Sequence, residues 1–305
     1  MRGISPEDFS FVPHLRPGDR IVAGQATAEP RSLVRRLLEE ARAGLLPPVS
    51  LFVGPVYSDS FFGGVPEGLT VESNGAIRSA SALARAGRLT VYPAHLLALE
   101  RDIRAGWFRV DMALFPLQEV PGGLHLGMAR DYTYSAARRA RMVIGELQPQ
   151  MPVCPGGELD PPLPLGALVR AETGVVELPL PVVDTTTAAI ARRVAGVVPD
   201  GAVLQMGVGT IPAAVCDALT GHRDLGVHSG AVGDGIVDLA ESGALTNARK
   251  ERDRGGERCG NPDGHKTALR VFRWEPGAAV GGAGGNPCVG GDRRPVAVPC
   301  DQLGA

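Results

Sequence analysis

Paired cysteines, long apolar runs and an excess of positive charge are all missing from this 305-residue sequence. The five cysteines (Cys154, Cys216, Cys259, Cys288, Cys300) form neither a CxxC pair nor a Cys/His cluster at zinc spacing. Such an odd, scattered set reads as reduced thiols of a cytoplasmic protein, not as a disulfide framework, and no metal site is expected. No stretch approaches the roughly 18–20 apolar residues that a membrane-spanning helix needs. The opening MRGISPEDFSFVPHLRPGD has no continuous apolar run, so it does not read as a secretory signal. A formal charge of −2 leaves no basic surplus for nucleic acid. Local arginines still suffice for a small acidic substrate.

What remains has the balance of a soluble globular protein, with 44% apolar and 21% charged residues. The length accommodates two domains. After the Pro-Gly-Asp turn at Pro17–Asp19, RIVAG (Arg20–Gly24) reads as a short buried strand. In Pro30–Ala43, Leu33, Leu37 and Leu38 recur at helical spacing, and Gly44 ends the helix. The pairs Arg35-Arg36 and Glu39-Glu40 read as its solvated face. Val49–Val53, Leu89–Tyr92, Met112–Phe115 and Met142–Ile144 read as further strands, and Ala80–Ala86 as helix. Strands alternating with helices imply βαβ units and a largely parallel sheet covered on both faces. Trp107, Phe108 and Phe115 read as core, as do Tyr132 and Tyr134. Arg138, Arg139 and Arg141 read as a solvated helix face that could also meet a phosphate.

Gln148–Pro164 is too rich in Pro and Gly for regular structure and reads as a long loop. A domain boundary is expected near residue 184, followed by helix Thr185–Val198 with a threonine N-cap. Strand Ala202–Met206, loop Gly207–Thr210, helix Ile211–Leu219, strand Leu225–His228 and helix Ile236–Glu241 complete the second domain as far as 250. Beyond Lys250 the character changes. Residues 251–305 hold 12 of the 41 glycines and three of the five cysteines, with no sustained period. They read as a Gly-rich, irregular or out-of-frame tail; Leu269–Trp274 is the one strand candidate within it.

Two stretches concentrate chemistry. In VLQMGVGTIPAA a buried strand runs into Gly207-Val208-Gly209, and a helix opens with Pro212 in its first turn. Such a loop lets backbone approach a ligand and aims free N–H groups at an anion, although a tight turn requires glycine equally well. A dinucleotide fingerprint is the competing reading. Only half of GxGxxG is present, because Pro212 replaces the third glycine and Asp224 precedes the next strand instead of ending it. In the second stretch, His228-Ser229-Gly230 closes a strand at the edge where open α/β sheets bind ligands. His228 reads either as a general base or as an ordinary strand-end histidine.

LQMGVGTIPAAV and HRDLGVHSGAVGDGIVDLAESGALTNARK together resemble the acetyl-CoA hydrolase / 4-hydroxybutyrate CoA-transferase family. LRPGDRIVAGQATAEPRSLV, with Gly24 leading to Glu29-Pro30, resembles its first strand and helix start. VDMALFPL, Gly127 and Gln150-Met151-Pro152 resemble later landmarks, so the resemblance covers about residues 15–250. It implies an α/β fold of two CoA-transferase-type open parallel-sheet domains, at 1–184 and 185–250, the second incomplete. It implies acyl-CoA and a carboxylate as small-molecule partners, coenzyme A as substrate with no permanently bound cofactor, and room for a homo-oligomer. A glutamate attacks the thioester in this family, giving an anhydride and then a glutamyl-CoA thioester that a carboxylic acid, or water in the hydrolases, resolves. The residues implied for substrate or CoA are Gly24, Gln25, Gly207, Gly209, Pro212, His228 and Ser229. The nucleophile's position falls on Gly230, which has no carboxylate, so a non-catalytic acyl-CoA-binding relative is the alternative. Resemblance stops after Asn247-Ala248-Arg249-Lys250, which leaves an unfinished, adhesive sheet edge as the expectation. A change of reading frame near residues 251–256 would explain this. Translating the downstream DNA in the other two frames checks it: one frame should encode a strand–helix continuation resembling the family.

Overall fold

The computed structural model describes residues 3–152, 159, 162–178 and 182–250, together with the short strand Arg258–Cys259. The chain divides into two compact units, one built on Met1–Met151 with Glu158–Val176, the other on Pro152–Gly157 with Glu177–Ala305.

Unit 1 is a mainly parallel sheet between two layers of helix. In chain order it comprises β1 (Arg20–Ala23), α1 (Arg31–Arg42), β2 (Val49–Phe52), β3 (Leu69–Ser73), α2 (Ala80–Arg85), β4 (Leu89–Val91) and α3 (Leu96–Ala105). Then come β5 (Met112–Val120), β6 (Gly123–His125), α4 (Tyr132–Arg139), β7 (Met142–Leu147) and β8 (Leu165–Arg170). Strand order is β4-β3-β2-β1-β5-β7-β8, with β6 antiparallel to β5. The pleat sends alternate residues to opposite faces. Ile21, Leu51, Val71, Leu114 and Ile144 therefore pack with Leu33, Val34, Leu37 and Leu38 of α1. Val22, Phe52, Ala113, Phe115 and Val143 pack on the other face, with Leu99 and Ile103 of α3 and Tyr132, Ala136 and Ala137 of α4.

Helix α1 lacks a local cap, because Pro30 at its N-cap offers no acceptor side chain. The missing acceptor comes from β7. Glu146 Oε2 takes the N–H groups of Ser32 (2.8 Å) and Leu33 (3.0 Å). Burial pushes the Glu146 carboxyl up from 4.5 to about 7, against the lowering effect of those N–H donors and with a further push from Glu29.

Several expectations change. β5 and β7 run beyond Phe115 and Ile144, because Pro116–Leu117 and Gly145–Leu147 continue their mutual register. β3, α3 and β8 are additional elements, and the helix expected at Arg138 and Arg139 is α4, which begins at Tyr132 and ends before Arg141. Trp107 is not core but 76% exposed, with the Arg101 guanidinium over its ring. Glu40 is not on a solvated face; it is buried, accepts the Phe11 N–H at 2.9 Å and so ties the N-terminal segment to α1. Arg138 and Arg139 are exposed in the last turn of α4, and Arg141 pairs with Asp19 at 2.7 Å.

Unit 2 comprises α5 (Thr185–Ala195), β9 (Val203–Leu204), α6 (Thr210–Ala218), β10 (Gly226–Ser229), α7 (Gly235–Glu241) and β11 (Arg258–Cys259), with parallel strands in the order β11-β10-β9. The α5 cap is Asp184, not a threonine: its extended backbone places the carboxylate to accept the Thr187 N–H at 2.7 Å. The flank of β10 is not bare at Val227. Asn247 Oδ1 accepts the Val227 N–H, and Lys250 Nζ donates to the Val227 carbonyl, both at 2.8 Å. The irregular tail and the Leu269–Trp274 strand lie outside the described residues, save that Arg258–Cys259 is a strand and not irregular. Among the described residues no helix is long and apolar enough to cross a membrane.

Glu146→Ala should destabilise the chain by about 1–3 kcal/mol for each N–H left buried without a partner; Glu146→Gln, which keeps an acceptor, should cost less. Between pH 4.5 and about 7 the folded chain holds a proton that the unfolded chain has lost. The group's contribution is therefore full below 4.5 and fades as pH rises through 7. Urea melts from pH 5 to 8 should show that decline in the wild type and a flatter profile in Glu146→Gln.

Candidate functional site

In unit 1 the carboxyl ends of the parallel strands share one edge. β1 leads to β2 on one side, whereas β5 pairs with its other side, so the topology reverses between β1 and β5. Crevices at such switch points bind ligands in open α/β sheets. Gly24 and Gln25 follow β1 directly here. Gln25 Nε2 donates to Asp131 Oδ2 at 2.6 Å, bridging the loop after β1 and the segment between β6 and α4. Asp131 Oδ1 accepts from the Thr133 N–H (2.9 Å) and hydroxyl (2.6 Å), capping α4. Tyr132 donates to the Ala23 carbonyl at 3.0 Å. Burial raises the Asp131 carboxyl and lifts the Tyr132 phenol well above its ordinary range.

Both glycines at this edge are demanded by packing. A Cβ on Gly24 would strike the Ala28 carbonyl, and one on Gly54 would strike the Gln25 side-chain amide. Glu29 closes the same loop, and Ser60 donates to its Oε1 at 2.6 Å. Burial raises the Glu29 carboxyl despite the Ser58 and Ser60 hydroxyls and the Arg31 charge.

In unit 2, the loop Gly207–Gly209 joins β9 to α6. Gly207 and Gly209 are exposed, Gly209 has φ +129°, and Pro212 occupies the first helical turn. Their neighbour across the strand ends is Ser229. Its Oγ lies 2.7 Å from the Met206 carbonyl and 2.7 Å from the Ala231 carbonyl, and accepts the Met206 N–H at 3.3 Å. His228 points to the opposite, exposed face of β10. Gly230 follows, exposed and at a φ open to any residue; a Cβ there meets nothing within 4 Å. Asp224 is engaged elsewhere, paired with Arg249 at 3.1 Å and accepting from Thr246 at 3.3 Å. Cys216 is buried against Met206 Sδ at 3.4 Å, and desolvation followed by the Asp238 charge pushes its thiol up to about 12.

The fold thus gathers Gly207, Gly209, Pro212, Ser229 and Gly230 around one pair of strand ends in unit 2. Gly24 and Gln25 belong to the switch point of unit 1. Sequence reasoning missed Asp131, whose bond to Gln25 spans 106 residues. The Asp131-x-Thr133 spacing is a local capping signal that could have flagged it. Among the described residues no cluster of three or more His, Cys, Asp or Glu could hold a metal ion.

No family model matches the sequence. The chain is 34% identical over 143 residues to 4-hydroxybutyrate coenzyme A transferase of Clostridium kluyveri, a match covering 46% of this chain and 33% of that protein. It is 30% identical over 258 residues to the succinyl-CoA:acetate/propanoyl-CoA:succinate CoA transferase of Fasciola hepatica, covering 80% of this chain and 51% of that protein. The matches thus span about a third to a half of the relatives' length. Among solved structures, RipA from Yersinia pestis aligns with a TM-score of 0.79 at 25% identity, over 89% of this chain and 66% of that one. The 4-hydroxybutyrate CoA-transferase of Porphyromonas gingivalis shares the fold, with a TM-score of 0.70 at 24% identity over 90% and 66%.

The glycines should separate by mutation. Gly24→Ala and Gly54→Ala should each lower stability by about 1–3 kcal/mol through overpacking. Gly207→Ala, which meets open space at an ordinary φ, should shift the melting midpoint little.

Proposed function

We propose that this chain, which belongs to the acetyl-CoA hydrolase / 4-hydroxybutyrate CoA-transferase family, binds acyl-CoA thioesters and carboxylates but lacks its own nucleophile for the family's glutamyl-CoA route. The supporting observation is the vacant corner at Gly230, set beside an exposed glycine loop on the same strand ends. Gly24 and Gln25 are assigned to the substrate from the switch point of a first CoA-transferase-type domain. Gly207, Gly209, Pro212 and Ser229 are assigned to the strand ends of a second such domain, beginning near residue 185, with His228 exposed on the other face of β10.

In the family route a glutamate oxygen attacks the thioester carbonyl carbon. The C–S bond breaks, an acyl–glutamyl anhydride forms and CoA leaves as thiolate. The thiolate then attacks the glutamyl carbonyl, releasing the acyl group as a carboxylate and leaving glutamyl-CoA. An incoming carboxylate attacks glutamyl-CoA and expels the CoA thiolate, which then attacks the acyl carbonyl of the new anhydride to release the glutamate and the new acyl-CoA. Water instead hydrolyses glutamyl-CoA to the glutamate and free CoA. Each tetrahedral intermediate carries an oxyanion, and free N–H groups of the Gly207–Gly209 loop are suited to hold it. With hydrogen at the Gly230 α-carbon in place of a side chain, the first attack has no enzyme oxygen from which to start. Ser229 does not replace it, since its hydroxyl is buried among main-chain partners.

Purified chain mixed with acetyl-CoA and a carboxylate should bind the thioester without transfer above the buffer rate. Gly230→Glu should gain measurable transfer and, on intact-mass analysis, a covalent CoA adduct. Transfer by the wild type would overturn the missing-nucleophile reading, and absence of acetyl-CoA binding would overturn the assignment itself.

A further inference from the structure

β9 and β10 pair through their backbones only at Val203↔Gly226 and Leu204↔Val227. Two residues further on, the same register would set Met206 opposite Ser229, yet no main-chain ladder forms there. The Ser229 hydroxyl takes its place. Oγ serves both the N–H (3.3 Å) and the carbonyl (2.7 Å) of Met206, the residue that opens the glycine loop. The same oxygen lies 2.7 Å from the carbonyl of Ala231, on the far side of residue 230. A hydroxyl has one proton and two lone pairs. It therefore accepts the Met206 N–H while donating to one carbonyl at a time, and one side chain spans the whole corner.

A side chain inserted between two parallel strands holds them further apart than a direct N–H···O bond would. The separation falls at their carboxyl ends, where α/β sheets take ligands. Ser229 is 5% exposed, whereas Gly207, Gly209 and Gly230 on either side are exposed. The clamp is thus buried and the groups it holds are presented.

We infer that Ser229 is a positioning residue, whose hydroxyl fixes Met206–Gly209 relative to residue 230 so that the loop's N–H groups can hold a thioester oxygen beside that residue. The ligand half rests on the acyl-CoA reading above; the clamp rests on the hydrogen bonds alone. The test pairs amide hydrogen exchange with calorimetric titration of acetyl-CoA, on the whole chain and on Ser229→Ala and Ser229→Thr. Ser229→Ala should speed Met206 exchange and weaken acetyl-CoA binding, each about tenfold, the scale of one lost hydrogen bond. Ser229→Thr, which keeps the hydroxyl, should restore most of both. Unchanged Met206 exchange in Ser229→Ala overturns the clamp. Faster exchange with undiminished binding overturns the positioning role. If the wild type binds no acetyl-CoA while Met206 exchange still depends on Ser229, the acyl-CoA reading and the ligand half fall together, and the clamp stands. Should Ser229→Ala not fold, Ser229→Cys, a weaker donor of similar size, is read in the same way at smaller amplitude.

Discussion

The first turn of α1 must bury its free N–H groups against the sheet, and nothing local accepts them. Glu146 meets that need from β7, a strand not adjacent to β1 but separated from it by β5. Helix α1 packs on one face of the unit 1 core, beside Phe9, Phe11 and Leu83. Its placement therefore depends on a carboxyl group held in an apolar interior, where the charged form is disfavoured. The neighbouring Glu29 raises that group further, so two buried acids share one helix terminus. The geometry that fixes the helix also fixes the loop Gly24–Pro30 leading into it, and with that loop the polar edge of the switch point.

How much of this was legible depends on range. Strands β1 and β2 were, because RIVAG and VSLFV are short apolar runs bounded by turn residues. Helix α1 was, because its leucines recur at helical spacing. β3 was not, since LTVES carries a Glu and a Ser and reads as polar; of α4 only the Arg138-Arg139 end was, because YTYSAARR mixes aromatics with small residues in no clear period. The α5 cap was off by one residue. Asp184 and Thr185 both suit an N-cap, and only the extended backbone at Asp184 decides between them. Glu40 looked solvated because its partner, the Phe11 N–H, lies 29 residues away. Glu146 and Asp131 act over more than a hundred residues, beyond the reach of any local pattern. At the candidate site, residue types were legible and their partners were not. The sequence marks Ser229 as polar at a strand end, but only the fold shows that its hydroxyl is spent on Met206 and Ala231.

The two polar edges solve similar problems differently. In unit 1 the loop after β1 and the segment between β6 and α4 are drawn together by a side-chain amide on a carboxylate, and Gly24 and Gly54 are needed because the space is already full. In unit 2 the strand ends are linked by a hydroxyl, and Gly207 and Gly230 face open space. One edge is tightened by packing and the other is kept clear. Glycine at 230 therefore has no steric cause: the position accepts a side chain, and its lack is a chemical fact about the corner and not a consequence of crowding.

The side chains of Asn247 and Lys250 on Val227 carry a different consequence. Together they present one acceptor and one donor to a single residue of β10, as a neighbouring strand would, and they come from a turn only about twenty residues downstream. Half of the strand's outer flank is thereby sealed by a local segment, while β11 pairs only at His228 and Ser229. A strand arriving on that flank has no choice of register: it must start past Val227, because the earlier positions are already spoken for. A lysine side chain on a short turn thus acts as a stop in the alignment of the sheet, setting where the next strand begins without contributing a strand of its own.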